Sequence, residues 1–248
     1  MTAIQTLYDA CKVSFSPNGP VSSEVLEHVR NILDEIRASD VGLEQEAQLV
    51  KGWKPSKSGP NGKKGRNGSK QYLPPIKYLH IHECRSFSIG ILCVPPHAVV
   101  PLHNHPRMTV LSKLLYGSLL VKSYDWIDVA GHIEAPKARP AKLVIDGEMF
   151  APCRTTILHP TSGGNIRSFK AIMPCALLDI LSPPYSSEDG RHCSYFRKSS
   201  RKDTFGFSLE GIKSSHVAWL EEYQPPESFI IKRGLYKGQR IIPPLTIR

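Results

Sequence analysis

The sequence predicts a mostly β protein, a barrel or sandwich of short strands preceded by two helices, and three observations carry that expectation. From residue 76 onward, short apolar or alternating runs recur, divided by Gly and Pro. Before residue 50 the apolar residues instead fall at helical spacing. Between them, 51–70 (KGWKPSKSGPNGKKGRNGSK) holds seven basic residues and no acid among Gly, Pro, Ser and Asn, the composition of a linker or long loop. The chain is thereby divided into a helical segment at 1–50, a basic linker or loop at 51–73 and one large β domain at 74–248.

In order along the chain, Ile4, Leu7 and Cys11 mark a first helix, and Val25, Leu26, Val29, Ile32, Leu33 and Ile36 a second. They are separated by the turn residues of SPNGP at 16–20. Strands are expected at 87–94, 108–116, 119–126, 141–145, 155–158, 166–173 and 176–181. In the first of these Phe87, Ile89, Ile91 and Cys93 alternate with smaller or polar neighbours, as in a half-buried strand.

Composition narrows the function classes. The 248 residues are 40% apolar, enough for a sizeable core. No run approaches the length of a membrane span, and no membrane partner is expected. The six cysteines form no C-x-x-C pair, and the opening MTAIQTLYDACK lacks a secretory pattern. Reduced thiols in the cytoplasm and nucleus are therefore expected. The net charge of +10 favours anionic partners, and the 51–70 tract reads either as a solvated loop or as a nuclear import signal. Nucleic acid is not an expected partner, because neither an aromatic-basic strip nor a recognition helix accompanies the charge.

The chemistry centres on His103-Asn104-His105. Two imidazoles two residues apart in extended backbone project to one face and can chelate one metal, although such a pair is also common on surfaces. A second glycine-rich turn, Gly163-Gly164-Asn165, opens a later strand.

Three stretches, PLHNHPRMTVLSKLLYGSLLVKSYDW, SGGNIRSFKA and LLDILSPPYSSEDGRHCSYFRKS, resemble the plant cysteine oxidases and their animal relatives, the cysteamine dioxygenases. The likeness runs from about residue 74 to the C-terminus. It implies a cupin-type (double-stranded β-helix) barrel and a monomer. It implies Fe(II) held by three neutral histidines, and O2 as co-substrate. The implied reaction converts the N-terminal cysteine of regulatory proteins, such as ethylene-response transcription factors, to cysteine sulfinic acid and so marks them for degradation. By position, His103 and His105 would be iron ligands, Asp179 would orient the substrate's amino terminus, and Tyr185 would flank the entrance. Cys193 and Tyr195 would lie on one strand face, near the site or simply packed.

The sequence departs from the family at the third ligand. The position set by Gly164 is Arg167, and a guanidinium has no lone pair to give a metal. Arg107, where relatives carry glycine, adds a second cation. Either His159 substitutes as a ligand, or iron is held weakly by two histidines, or the chain is a catalytically impaired paralogue that binds Cys-initiated peptides. His80, His82, His97 and His132 read as loop or surface histidines.

Overall fold

A computed structural model of the protein describes residues 1–53, 74–128, 138–199 and 214–243. Most of the 51–73 tract, and His132, lie outside the described residues.

Both expected helices form. Helix α1 (Ala3–Ser14) is capped by Thr2, whose hydroxyl accepts the Gln5 N–H, and α2 (Ser23–Glu35) by Ser22, whose hydroxyl accepts the Val25 N–H. The turn between them carries two two-residue strands, β1 (Phe15–Ser16) and β2 (Gly19–Pro20), paired as a hairpin. Two helices were expected and the described residues form three: α3 (Glu44–Lys51) follows a 3-10 turn at Ala38–Val41. Val50 is its single buried residue, so it has almost no apolar stripe to betray it.

Twelve further strands build the β domain: β3 (Ile76–Glu83), β4 (Ser88–Val94), β5 (Val99–His103), β6 (Thr109–Tyr116), β7 (Ser118–Trp126), β8 (Ala138–Phe150), β9 (Thr156–Leu158), β10 (Ile166–Ala171), β11 (Cys175–Ser182), β12 (Tyr195–Lys198), β13 (Val217–Glu222) and β14 (Ile231–Gly234). Strands β10, β5, β12, β13, β8 and β7 close on themselves, while β14, β3, β4, β11, β6 and β9 form a six-stranded sheet. Among the described residues every strand pairing in the domain is antiparallel except that of β14 with β3.

The helices cover the outer face of the six-stranded sheet. Ile4, Leu7, Val29 and Leu33 pack in one cluster with Ile89, Ile91, Leu111, Leu178 and Ile180. The segment 1–50 is thus continuous with the core of the β domain. On the other side, Leu114, Cys175 and Leu177 meet Val100, Val121 and Phe169 of the closed ring. Polar bonds fasten the helices: the buried Lys113 amine donates to the Asp34 and Cys153 carbonyls at 3.0 and 2.9 Å, and the Thr155 N–H donates to Asp34 Oδ1 at 2.6 Å.

Candidate functional site

His103 ends β5, and Asn104 and His105 follow in the loop to β6, so the pair succeeds one strand and precedes another. Its ring centroids are 4.9 Å apart. His103 Nδ1 lies 2.9 Å from the Pro101 carbonyl, and His105 Nδ1 2.9 Å from the Asn165 carbonyl. A carbonyl only accepts, so both Nδ1 atoms carry the proton and both Nε2 atoms keep the lone pair. Burial, foremost, drives the His103 imidazole down to about 4, with the Arg167 charge acting in the same direction. Burial, His103 and Arg167 hold His105 well below its ordinary value. Both rings are therefore neutral at physiological pH.

Asn165, which the sequence reading passed over, fixes this geometry. Its side-chain amide donates to the carbonyls of His105 and His159 at 2.8 and 2.9 Å, and its Oδ1 accepts the His105 N–H at 3.0 Å. Its own N–H and that of Gly164 converge on Asp125 Oδ1 at 2.8 and 2.9 Å. Gly163 and Gly164 both take positive φ, and a Cβ at Gly164 would stand 2.3 Å from the Ser123 hydroxyl. Asn104 ties the loop elsewhere: its Oδ1 accepts the Ser194 N–H, and its carbonyl accepts the Tyr185 hydroxyl at 2.8 Å. The Tyr185 ring lies 5.8 Å from that of His105.

Arg167 is buried on β10, opposite His103 on β5 and Ser123 on β7. Its guanidinium carbon sits 5.4 Å from the centre of the Phe169 ring, and its Nε finds no hydrogen-bond partner among the described residues. Asp179 on β11 stands opposite Ser112 on β6 and Gly90 on β4. Its Oδ1 is also buried without a partner among the described residues. A Cβ at Gly90 would meet the Tyr78 hydroxyl at 2.2 Å, so the glycine makes room for that ring beside Asp179. Burial raises the Asp179 carboxyl and the Arg167 charge opposes the rise.

The structure thus brings together His103, His105, Arg167, Asp179 and Tyr185. Cys193 lies just before β12 rather than in it; its thiol is within bonding reach of the Tyr185 and Tyr195 hydroxyls, and burial raises it. His159 stays apart, because the residue is exposed and only its carbonyl touches the site. Arg107 is exposed too, and its guanidinium donates outward to the Asp189 carbonyl. Its φ of 58° lies in the left-handed region, which favours glycine. His82 is half-buried at the surface, its ring packing edge-on against Tyr8 at 4.8 Å.

A three-imidazole metal set does not fit this barrel. Two neutral imidazoles supply donors, but the third position holds a guanidinium, and among the described residues no three of His, Cys, Asp and Glu gather as ligands.

Fold and site together define a cupin-type barrel with an inward-facing histidine pair at one end. The family model described as PCO_ADO matches residues 32–241, and the chain belongs to that family of thiol dioxygenases. It is 42% identical to "Plant cysteine oxidase 1" of Arabidopsis thaliana, covering 97% of this chain and 81% of the relative. It is 26% identical to "2-aminoethanethiol dioxygenase" of Homo sapiens, covering 95% and 88%. Among solved structures, an RmlC-like cupin protein from Desulfovibrio desulfuricans is 14% identical with a TM-score of 0.31, covering 51% of this chain and 96% of that one.

Proposed function

We propose that this chain is a thiol dioxygenase of plant cysteine oxidase type that acts on the N-terminal cysteine of target proteins. The thiol and O2 combine to give cysteine sulfinic acid, both oxygen atoms passing to sulfur with no external reductant. One observation carries the reading: in a chain 42% identical to a plant cysteine oxidase, two neutral imidazoles with free Nε2 atoms stand beside Tyr185 at one end of the barrel. His103 and His105 would be the protein ligands of Fe(II), Asp179 would receive the substrate's ammonium group, and Tyr185 would border its path. The targets by resemblance are oxygen-labile regulators such as ethylene-response transcription factors, with oxidation committing them to degradation. Six unpaired cysteines support a reducing compartment, the cytoplasm and nucleus.

Arg167 favours a second reading, a catalytically impaired paralogue that binds Cys-initiated peptides and shields them. Iron content after anaerobic reconstitution, together with mass spectrometry of a Cys-initiated peptide, separates the two when run beside Arg167→His. A peptide gaining two oxygen atoms from the unaltered protein supports the dioxygenase. Iron and product that appear only in Arg167→His make the chain a binding protein on an oxidase scaffold.

A further inference from the structure

Two segments border the histidine pair: the 104–108 turn that carries His105, and a hairpin turn at 184–191 that carries Tyr185. The second is braced as a unit. Ser186 and Arg191 exchange both backbone bonds at 3.0 and 2.8 Å, and the Gly190 N–H donates to the Ser187 carbonyl at 3.2 Å. The Arg191 guanidinium donates to the Pro184 carbonyl at 3.0 Å and to the Asp189 carboxylate at 2.8 Å. Asn104 holds the base of this unit, its carbonyl accepting the Tyr185 hydroxyl and its Oδ1 accepting the Ser194 N–H, both at 2.8 Å. The tip is held by another residue. The Arg107 guanidinium donates to the Asp189 carbonyl, and a Cβ built on Gly190 would stand 3.3 Å from Arg107 Nη2.

Arg107 makes this contact at a φ of 58°, where a long side chain is disfavoured. Strain kept beside a site points to a task there, and a charge-assisted bond to a carbonyl is the compensation that the structure shows. His105 is only 5% exposed, and the Tyr185 ring 5.8 Å from it belongs to the unit that Arg107 holds. We propose that Arg107 is a positioning residue, a latch that clips the tip of the 184–191 turn to the histidine turn, keeps Tyr185 seated beside His105 and slows peptide entry. Binding that waits on a loop to open is slower than docking on an open surface. The inference rests on the proposed function only in taking a Cys-initiated peptide as what enters.

Two readouts test the latch: amide hydrogen exchange along the chain, and the association rate of a fluorescent Cys-initiated peptide measured without oxygen. Arg107→Asn keeps the left-handed backbone, which asparagine tolerates, but removes the reach to Asp189, whereas Arg107→Lys keeps a cationic donor on a long side chain. Arg107→Asn should raise exchange at 186–191 and peptide association each about fivefold, with exchange elsewhere unchanged, and Arg107→Lys should stay within about twofold of the unaltered protein. Exchange that is unaltered in Arg107→Asn, or that rises throughout the chain, would overturn the latch. So would a rise seen only in Arg107→Gly, where backbone freedom has changed as well. A loosened turn with unchanged association overturns the role in entry. Faster exchange at 186–191 in a protein that neither binds nor oxidises the peptide keeps the latch and sinks the proposed function; a peptide oxidised by a protein whose exchange ignores residue 107 does the reverse.

Discussion

The two faces of the six-stranded sheet are built from neighbouring residues and follow different rules. Leu178 and Ile180 point outward to the helices, while Leu177 and Asp179 point into the barrel. The outer face is closed mainly by apolar volume, Ile89, Ile91 and Leu111 meeting Leu7, Val29 and Leu33, with Lys113 and Asp34 bonded at its margin. The inner face is apolar at Leu114 and Leu177 but turns polar at Ser112 and Asp179, where groups are held by named partners or by opposing charge. Volume tolerates exchange among similar side chains. A polar interior does not, because each group left without its partner carries the cost of burial.

The sharpest break of that contrast lies on the outer face. Ile89 is completely buried between sheet and helices, and Ile89→Ala should cost about 4 kcal/mol in denaturant unfolding. A loss below about 1 kcal/mol would mean that the helices do not share the core. Next comes acid. The unfolded His103 takes its proton near 6.5 and the folded one only near about 4, so the unfolded state binds more protons in between. Stability should fall as pH drops through that window, by about 3 kcal/mol at its lower end. The His103→Gln variant should lack that part of the slope, and identical pH profiles for the two proteins would show that His103 is not held neutral. Smaller still, Asn165→Ala should cost about 2 kcal/mol, because the carbonyls of His105 and His159 lose their donor. It should also release the His105 ring, visible as a shifted imidazole resonance in NMR. An unmoved resonance would assign the orientation of His105 to the loop alone.

The outer face was legible in the sequence, since runs such as 87–94 and 176–181 alternate or are uniformly apolar and fall on β4 and β11. Several of the missed strands hide their pattern. In β3 His80 and His82 interrupt it beside a bulge, and β5 contains Pro101. Strands β12 and β14 are four residues long and charged, and they pair only with distant partners. At the site, the H-x-H spacing and the glycine pair marked two loops that the structure joins through Asn165. Asn165 was not singled out, though it directly follows two glycines at positive φ, where a side-chain amide commonly bonds nearby backbone. Nor does sequence spacing show that Arg107 faces away from the barrel while Arg167 faces in. Strand register turns Arg167 inward, whereas Arg107 lies in the turn between β5 and β6 at positive φ.

The parallel strand β14 has a consequence for the order of assembly. Residues 231–234 cover the edge of β3, and just beyond them the Ile242 N–H donates to the Gln5 side chain at 2.8 Å, a bond between groups 237 positions apart. Until that late segment has been synthesised and docked, the free ladder of β3 remains open to any other extended chain. The segment thus acts as a selvage, a woven border that moves the sheet's edge from β3 to a four-residue, charged strand, and the ribosome delivers it after the strand it covers.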